Sequence, residues 1–163
     1  MIKIRKKHLI FFIITTILAI LLFAFYSPYL VHKKIYCTAD LVGHQNDKII
    51  KINLTYNLSD NIGNISMVGE LHHDNNVMGI ISRNIISQYT VNDFNYRFTS
   101  ESINTTSMDT LSDDVLKEYL PLFFIKPNQK LSLNIKSIKS GGWIISTNSV
   151  PFLMCNEIWK LLM

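Results

Sequence analysis

The sequence predicts a mainly β protein: an N-terminal transmembrane helix, then an antiparallel β meander or small barrel-like domain with one short helix at about 111–120. Three observations carry this. Leu9 to Phe25, LIFFIITTILAILLFAF, holds no charge, no Gly and no Pro. From Ile35 onward apolar residues alternate with polar ones, the period of a half-buried strand. Between Thr110 and Pro121 the period becomes helical, and afterwards it returns to strands.

Residues 1–8 read as a cytoplasmic basic tail and 9–30 as a membrane anchor. At about 1.5 Å per residue, roughly 20 apolar residues cross a hydrocarbon core of about 30 Å. Lys3, Arg5, Lys6 and Lys7 precede the run, and only Lys33 and Lys34 follow it closely. The positive-inside rule then places the tail in the cytoplasm and residues 31–163 outside it. Abundant Asn, Ile, Ser and Lys with scarce Ala and Arg fits an AT-rich bacterial gene, so the expectation is one periplasmic β domain on an inner-membrane anchor. A cleaved signal peptide fits less well. Its apolar core is about 7–15 residues and ends in small side chains. This run is longer and ends in Phe-Ala-Phe-Tyr-Ser-Pro-Tyr.

Ile35 to Val42 is the first expected strand, and His44-Gln-Asn-Asp the turn after it. Ile50, Ile52, Leu54, Tyr56 and Leu58 alternate with Lys51, Asn53, Thr55 and Asn57 in the clearest strand of the chain. Ser59-Asp-Asn breaks it, and Ile65, Met67, Gly69 and Leu71 resume the alternation. Val77 to Val91 is β-branched on both faces, as a central or bent strand would be, and Phe94, Tyr96 and Phe98 follow. Leu111, Val115, Leu116, Tyr119 and Leu120 have helical spacing, with Asp109 or Ser112 as the expected cap and Pro121 as the stop. Leu131 to Ile135, Trp143 to Thr147 and Ser149 to Cys155 are the last strands, and 156–163 reads as a short helical end.

The net charge of +4 belongs to the tail: from residue 31 onward there are 12 basic and 12 acidic residues. The domain has no basic surplus, so direct nucleic-acid binding is not expected. Cys37 and Cys155 stand near the two ends of the domain, on the oxidising side, and are expected to form a disulfide.

No constellation of a catalytic or cofactor site stands out. His72 and His73 are adjacent on a strand, so their rings face opposite sides and do not converge on a metal. Asp113 and Asp114 sit where carboxylates favour a helix start. No G-x-S-x-G, phosphate loop or G-x-G-x-x-G occurs. The expectation is no enzyme, no cofactor and no metal. Phe94, Tyr96, Phe98 and Trp143 are read first as core and second as a candidate apolar pocket for a lipid-like small molecule. Arg83 lies in an apolar strand, so it is edge-exposed, paired with a buried acid, or a contact for a ligand anion.

The layout resembles the FidL-like membrane proteins of enterobacteria. A short basic N-terminus and one anchor are followed by Cys37 and, near the end, Pro151-Phe-Leu-Met-Cys155. Gly79-Ile-Ile-Ser-Arg-Asn-Ile, Tyr96-Arg-Phe-Thr-Ser-Glu-Ser-Ile and Asp109 to Leu120-Pro-Leu-Phe-Phe look like that family's central pattern. The resemblance implies an accessory partner of a ToxR-like membrane-bound transcriptional regulator, similar to the barrel-like ToxS class. The alternative is an autonomous periplasmic module binding a bile-salt-like or fatty-acid-like ligand.

Overall fold

The computed structural model describes residues 6–26, 34–74, 76–139, 141–147 and 150–157, the side chains of 6–10, 24–26 and 150–152 excepted. The chain divides into two compact units, Met1–Lys33 and Lys34–Met163.

The first unit contains helix α1, Lys6–Tyr26. Its described side chains, from Phe11 to Phe23, are all exposed. That stretch alone is shorter than a bilayer's hydrocarbon core. No helix among the described residues is long and apolar enough to cross a membrane. The span expected at 9–30 runs past α1 into residues outside the described ones.

The second unit is a closed barrel of eight antiparallel strands in chain order. The strands are β1 (Ile35–Gln45), β2 (Lys48–Ser59), β3 (Ile62–His73), β4 (Asn76–Asn92), β5 (Asn95–Thr105), β6 (Lys130–Ser137), β7 (Trp143–Thr147) and β8 (Val150–Glu157). Asn46, Asp60, Asn61, Asp74 and Asp93 take positive φ in the tight turns that join the first five strands. Asn and Asp tolerate that conformation best after glycine, so the polar breaks in the sequence become hairpin turns.

The alternation fills the interior. Ile52, Leu54, Tyr56 and Leu58 of β2 point in, as do Ile65, Met67 and Leu71 of β3. A barrel of eight strands is just wide enough for such side chains to meet. Tyr89, Phe98, Phe123 and Phe124 form a chain of ring contacts with centroids 5.1–6.0 Å apart.

The connection between β5 and β6 folds back into this core. Leu111, Leu116, Leu120, Phe123, Phe124 and Ile125 are all buried. The helix expected over 111–120 is only one α turn, α2, Asp113–Leu116, followed by turns and a 3-10 turn at Leu122–Phe124. The Glu118 and Tyr119 amides donate to carbonyls three residues back, which tightens the coil beyond α geometry. Ser112 is the cap position but its side chain makes no capping bond. Strand β8 continues to Glu157, so the first two residues of the expected helical end are strand, and 158–163 lie outside the described residues.

Candidate interaction surface

The barrel closes between β1 and β8 and is tied there covalently. β1 pairs with β2 along its whole length and, among the described residues, with β8 at Cys37 and Thr38. Cys37 and Cys155 form a disulfide across that seam, over a sequence separation of 118 residues.

Arg83 is the one buried cation in the described barrel, 5% exposed. Its Nε donates to Asp109 Oδ2 at 2.9 Å and its Nη2 to Asp109 Oδ1 at 3.2 Å. Nη1 reaches Asp113 Oδ1 at 2.8 Å, and Nη2 also reaches the Leu111 carbonyl at 3.0 Å. Burial opposes the guanidinium charge, but the bonds to Asp109 and Asp113 outweigh it, and its pKa is raised. Of the readings open for Arg83, pairing with a buried acid is the one observed. Asp109 is thereby a partner of β4 and no helix cap. Arg83 pins residues 109–113 over a gap that Gly79 leaves open: a Cβ there would stand 2.8 Å from Leu111 Cγ.

The four aromatic residues of the candidate pocket part ways. Tyr96, Phe98 and Trp143 are buried in the core. Phe94 is 57% exposed at the β4–β5 turn, with the Lys136 ammonium 5.4 Å above its ring. Phe98 also reaches the floor of an open groove of about 680 Å³, beside Tyr89 and the charged Asp60, Arg97 and Lys130. His72 and His73 stand against Glu70 and Asp74 at 3.0 and 3.5 Å. Among the described residues no group of three His, Cys, Asp or Glu side chains is placed to hold a metal ion.

A more apolar groove, of about 510 Å³, crosses the outer face of β1 to β4. Val42, Val68 and Met108 stand 54%, 51% and 61% exposed along it, with Ile80 behind them. Gly69 lies along the groove where β2 and β3 approach closely: a Cβ there would run into the Lys51 carbonyl and stand 2.8 Å from Ile52 Cα. Asp40, Lys51 and Glu70 are interleaved with the apolar residues, and Asn53 ties Asp40 at 2.8 Å. Contiguous exposed apolar surface with charges beside it is the usual mark of an interaction site. This face is not among the sequence expectations. Its one signal is Val42 and Val68, apolar at outward positions where the alternation calls for polar residues.

Residues 34–155 match the family described as the YqeJ C-terminal domain. The chain belongs to that family. "Uncharacterized protein YqeJ" of Escherichia coli (strain K12) is 30% identical over 156 residues, which is 92% of this chain and 96% of that protein. The YqeJ domain starts one residue before β1 and ends at Cys155, so it takes in both cysteines and the groove. The likeness to FidL-like and ToxS-type proteins rests on the sequence layout alone.

Proposed function

We propose that this protein is a single-pass inner-membrane protein whose periplasmic barrel is an accessory partner of a membrane-bound transcriptional regulator. The observation that carries a partner role is the exposed apolar groove of Val42, Val68, Ile80 and Met108. The anchor reading rests on the sequence run Leu9 to Phe25 with its basic N-terminal flank. The run's two polar side chains, Thr15 and Thr16, donate to the Phe12 carbonyl at 2.9 Å, which spares them an external partner. The disulfide suits an oxidising compartment. Regulator and accessory confined to one membrane meet at a raised effective concentration. The ToxR-like identity of the regulator comes from the FidL-like and ToxS-like layout.

The autonomous ligand-binding reading ranks second. Tyr56, Phe98, Phe123 and Met67 pack the barrel interior to 1% exposure or less, so a bile-salt-like or fatty-acid-like molecule would have to displace them.

Affinity capture of the full chain from membranes, disulfide intact, tests the partner reading. It expects a single-span protein with a cytoplasmic DNA-binding domain, in an amount that falls when Val68→Asp or Met108→Asp breaks the groove. Capture of no such protein overturns it.

A further inference from the structure

The groove of about 680 Å³ lies on the outer face of β3 to β6 and shares no residue with the apolar groove of Val42 and Met108. Two rungs of the ladder make its wall. Gln88, Thr99 and Lys130 stand opposite one another on β4, β5 and β6, and Thr90, Arg97 and Ser132 form the next outward rung. The residues between them, Tyr89 and Phe98, turn inward and are buried. Strand geometry puts the two rungs about 7 Å apart and makes each about 10 Å long. The result is one polar patch on the scale of a disaccharide.

This patch differs from the rest of the outer face in two ways. Elsewhere neighbouring side chains bond to one another: Thr38 donates to Asn53 and Asn53 to Asp40, at 3.1 and 2.8 Å. Among the described residues, none of the six side chains of the two rungs makes a hydrogen bond or an ion pair. Arg97 and Lys130 are also diagonal neighbours of like charge. Diagonal positions are within reach of long side chains, so the two cations repel each other until an anion joins them. The one acid among the described residues of the groove is Asp60, which already accepts from Ser59 Oγ at 2.6 Å. Two cations against one acid leave a surplus of one positive charge. A single carboxylate neutralises that surplus, whereas a phosphate group, at about −1.5 to −2, overshoots it.

We propose that this groove binds a saccharide that carries a carboxylate. Arg97 takes the carboxylate, because its planar fork meets both oxygens at once, and Lys130 adds the second charge. Gln88, Thr90, Thr99 and Ser132 can donate and accept, as sugar hydroxyls do, and Asp60 accepts from hydroxyls. Ile62, 56% exposed, offers an apolar contact to the C–H face of a sugar ring. Tyr89 and Phe98 are 3% and 1% exposed, so no ring face is open for a nucleic-acid base to stack on. Ile62 alone is too little apolar surface for an acyl chain. A saccharide here is independent of the regulator reading, whose groove lies elsewhere on the barrel.

The test uses the full-length chain in zwitterionic nanodiscs, with the native disulfide intact. Saturation-transfer NMR titrations compare tetragalacturonate with neutral maltotetraose, tetraglutamate and inorganic phosphate. Tetragalacturonate is expected to bind, and the other three at least about tenfold more weakly. Arg97→Gln is expected to weaken tetragalacturonate about tenfold or more, as loss of a charged hydrogen bond does. Arg97→Lys keeps the charge without the fork and is expected to weaken it less. Lys48→Gln, a cation outside the groove, leaves it unchanged. Arg97 is exposed and unbonded, so its variants are expected to keep the parent melting temperature. No binding of tetragalacturonate, equal binding of any of the other three, an affinity indifferent to Arg97→Gln, or an equal loss in Lys48→Gln would each overturn the proposal.

Discussion

Arg83 and Asp109 form a two-pronged ion pair, at 2.9 and 3.2 Å, with side chains only 4% and 5% exposed. Asp109 Oδ2 also accepts from the Ser82 amide at 3.0 Å, so the carboxylate is bonded on both oxygens. This pair fastens the connection between β5 and β6 to the wall of the barrel.

Removing one member leaves the other buried and uncompensated. Such losses cost about 3–5 kcal/mol. Asp109→Ala is expected to lower the urea midpoint by a corresponding amount. Asp113→Ala, whose carboxylate is half exposed, is expected to cost less than about 1 kcal/mol. Urea unfolding followed by tryptophan fluorescence checks both, since Trp143 is 6% exposed in the folded barrel.

Tyr56 is fully buried, and its hydroxyl has no hydrogen-bond partner among the described residues. Burial raises its pKa above the ordinary value near 10. The sign follows: below about pH 10 both states keep the proton, and above it the unfolded chain loses the proton first. Stability therefore falls as pH rises past about 10, by up to about 1.4 kcal/mol per pH unit from this group. Tyr56→Phe is expected to remove that component of the alkaline slope. At neutral pH it should leave stability unchanged or raise it by about 1 kcal/mol, because an unpaired buried hydroxyl is lost. Thermal melts of both proteins at pH 7 and pH 11 separate the two effects.

Reduction of Cys37–Cys155 frees a loop of 118 residues in the unfolded chain. The chain-entropy account gives about 4–5 kcal/mol for such a loop. Both sulfurs belong to fully buried residues, so reduction is expected only with denaturant present, and the Cys37→Ala/Cys155→Ala variant gives the cleaner reading. A midpoint unchanged in that variant would mean that the pairing of β1 with β8 suffices for closure without the disulfide.

Gly69→Ala is expected to destabilise by about 1–3 kcal/mol, as overpacking does. Its Cβ would meet backbone atoms of Lys51 and Ile52, which cannot swing away as a side chain does. Differential scanning calorimetry of the variant checks it.

Much of the barrel was legible because period-2 alternation and Asn/Asp turns are local signals. Ile50 to Leu58 and the break at Asp60-Asn61 show this plainly. The helix at 111–120 was misjudged for a long-range reason. Its apolar spacing is real, but Leu111 is held against Gly79 and Asp109 is taken by Arg83, which leaves one α turn. The disulfide was readable from the even cysteine count and the placement of Cys37 and Cys155 at the two ends of the domain. The aromatic residues illustrate the limit of composition: Tyr96, Phe98 and Trp143 are core, while Phe94 sits on the surface under Lys136. The outer groove was not legible, because it is made by neighbouring strands whose register the sequence does not state. Val42 lies in β1, Val68 in β3 and Met108 beyond β5.

The partner role is tested most directly by a photo-crosslinking amino acid placed at Val68 or Met108 in the full-length chain, in its native membrane, with Lys130 as a control site on β6. Adducts from positions 68 and 108 with a single-span protein carrying a cytoplasmic DNA-binding domain, and none from 130, is the predicted result. No adduct from the groove, or the same adducts from all three positions, would contradict it.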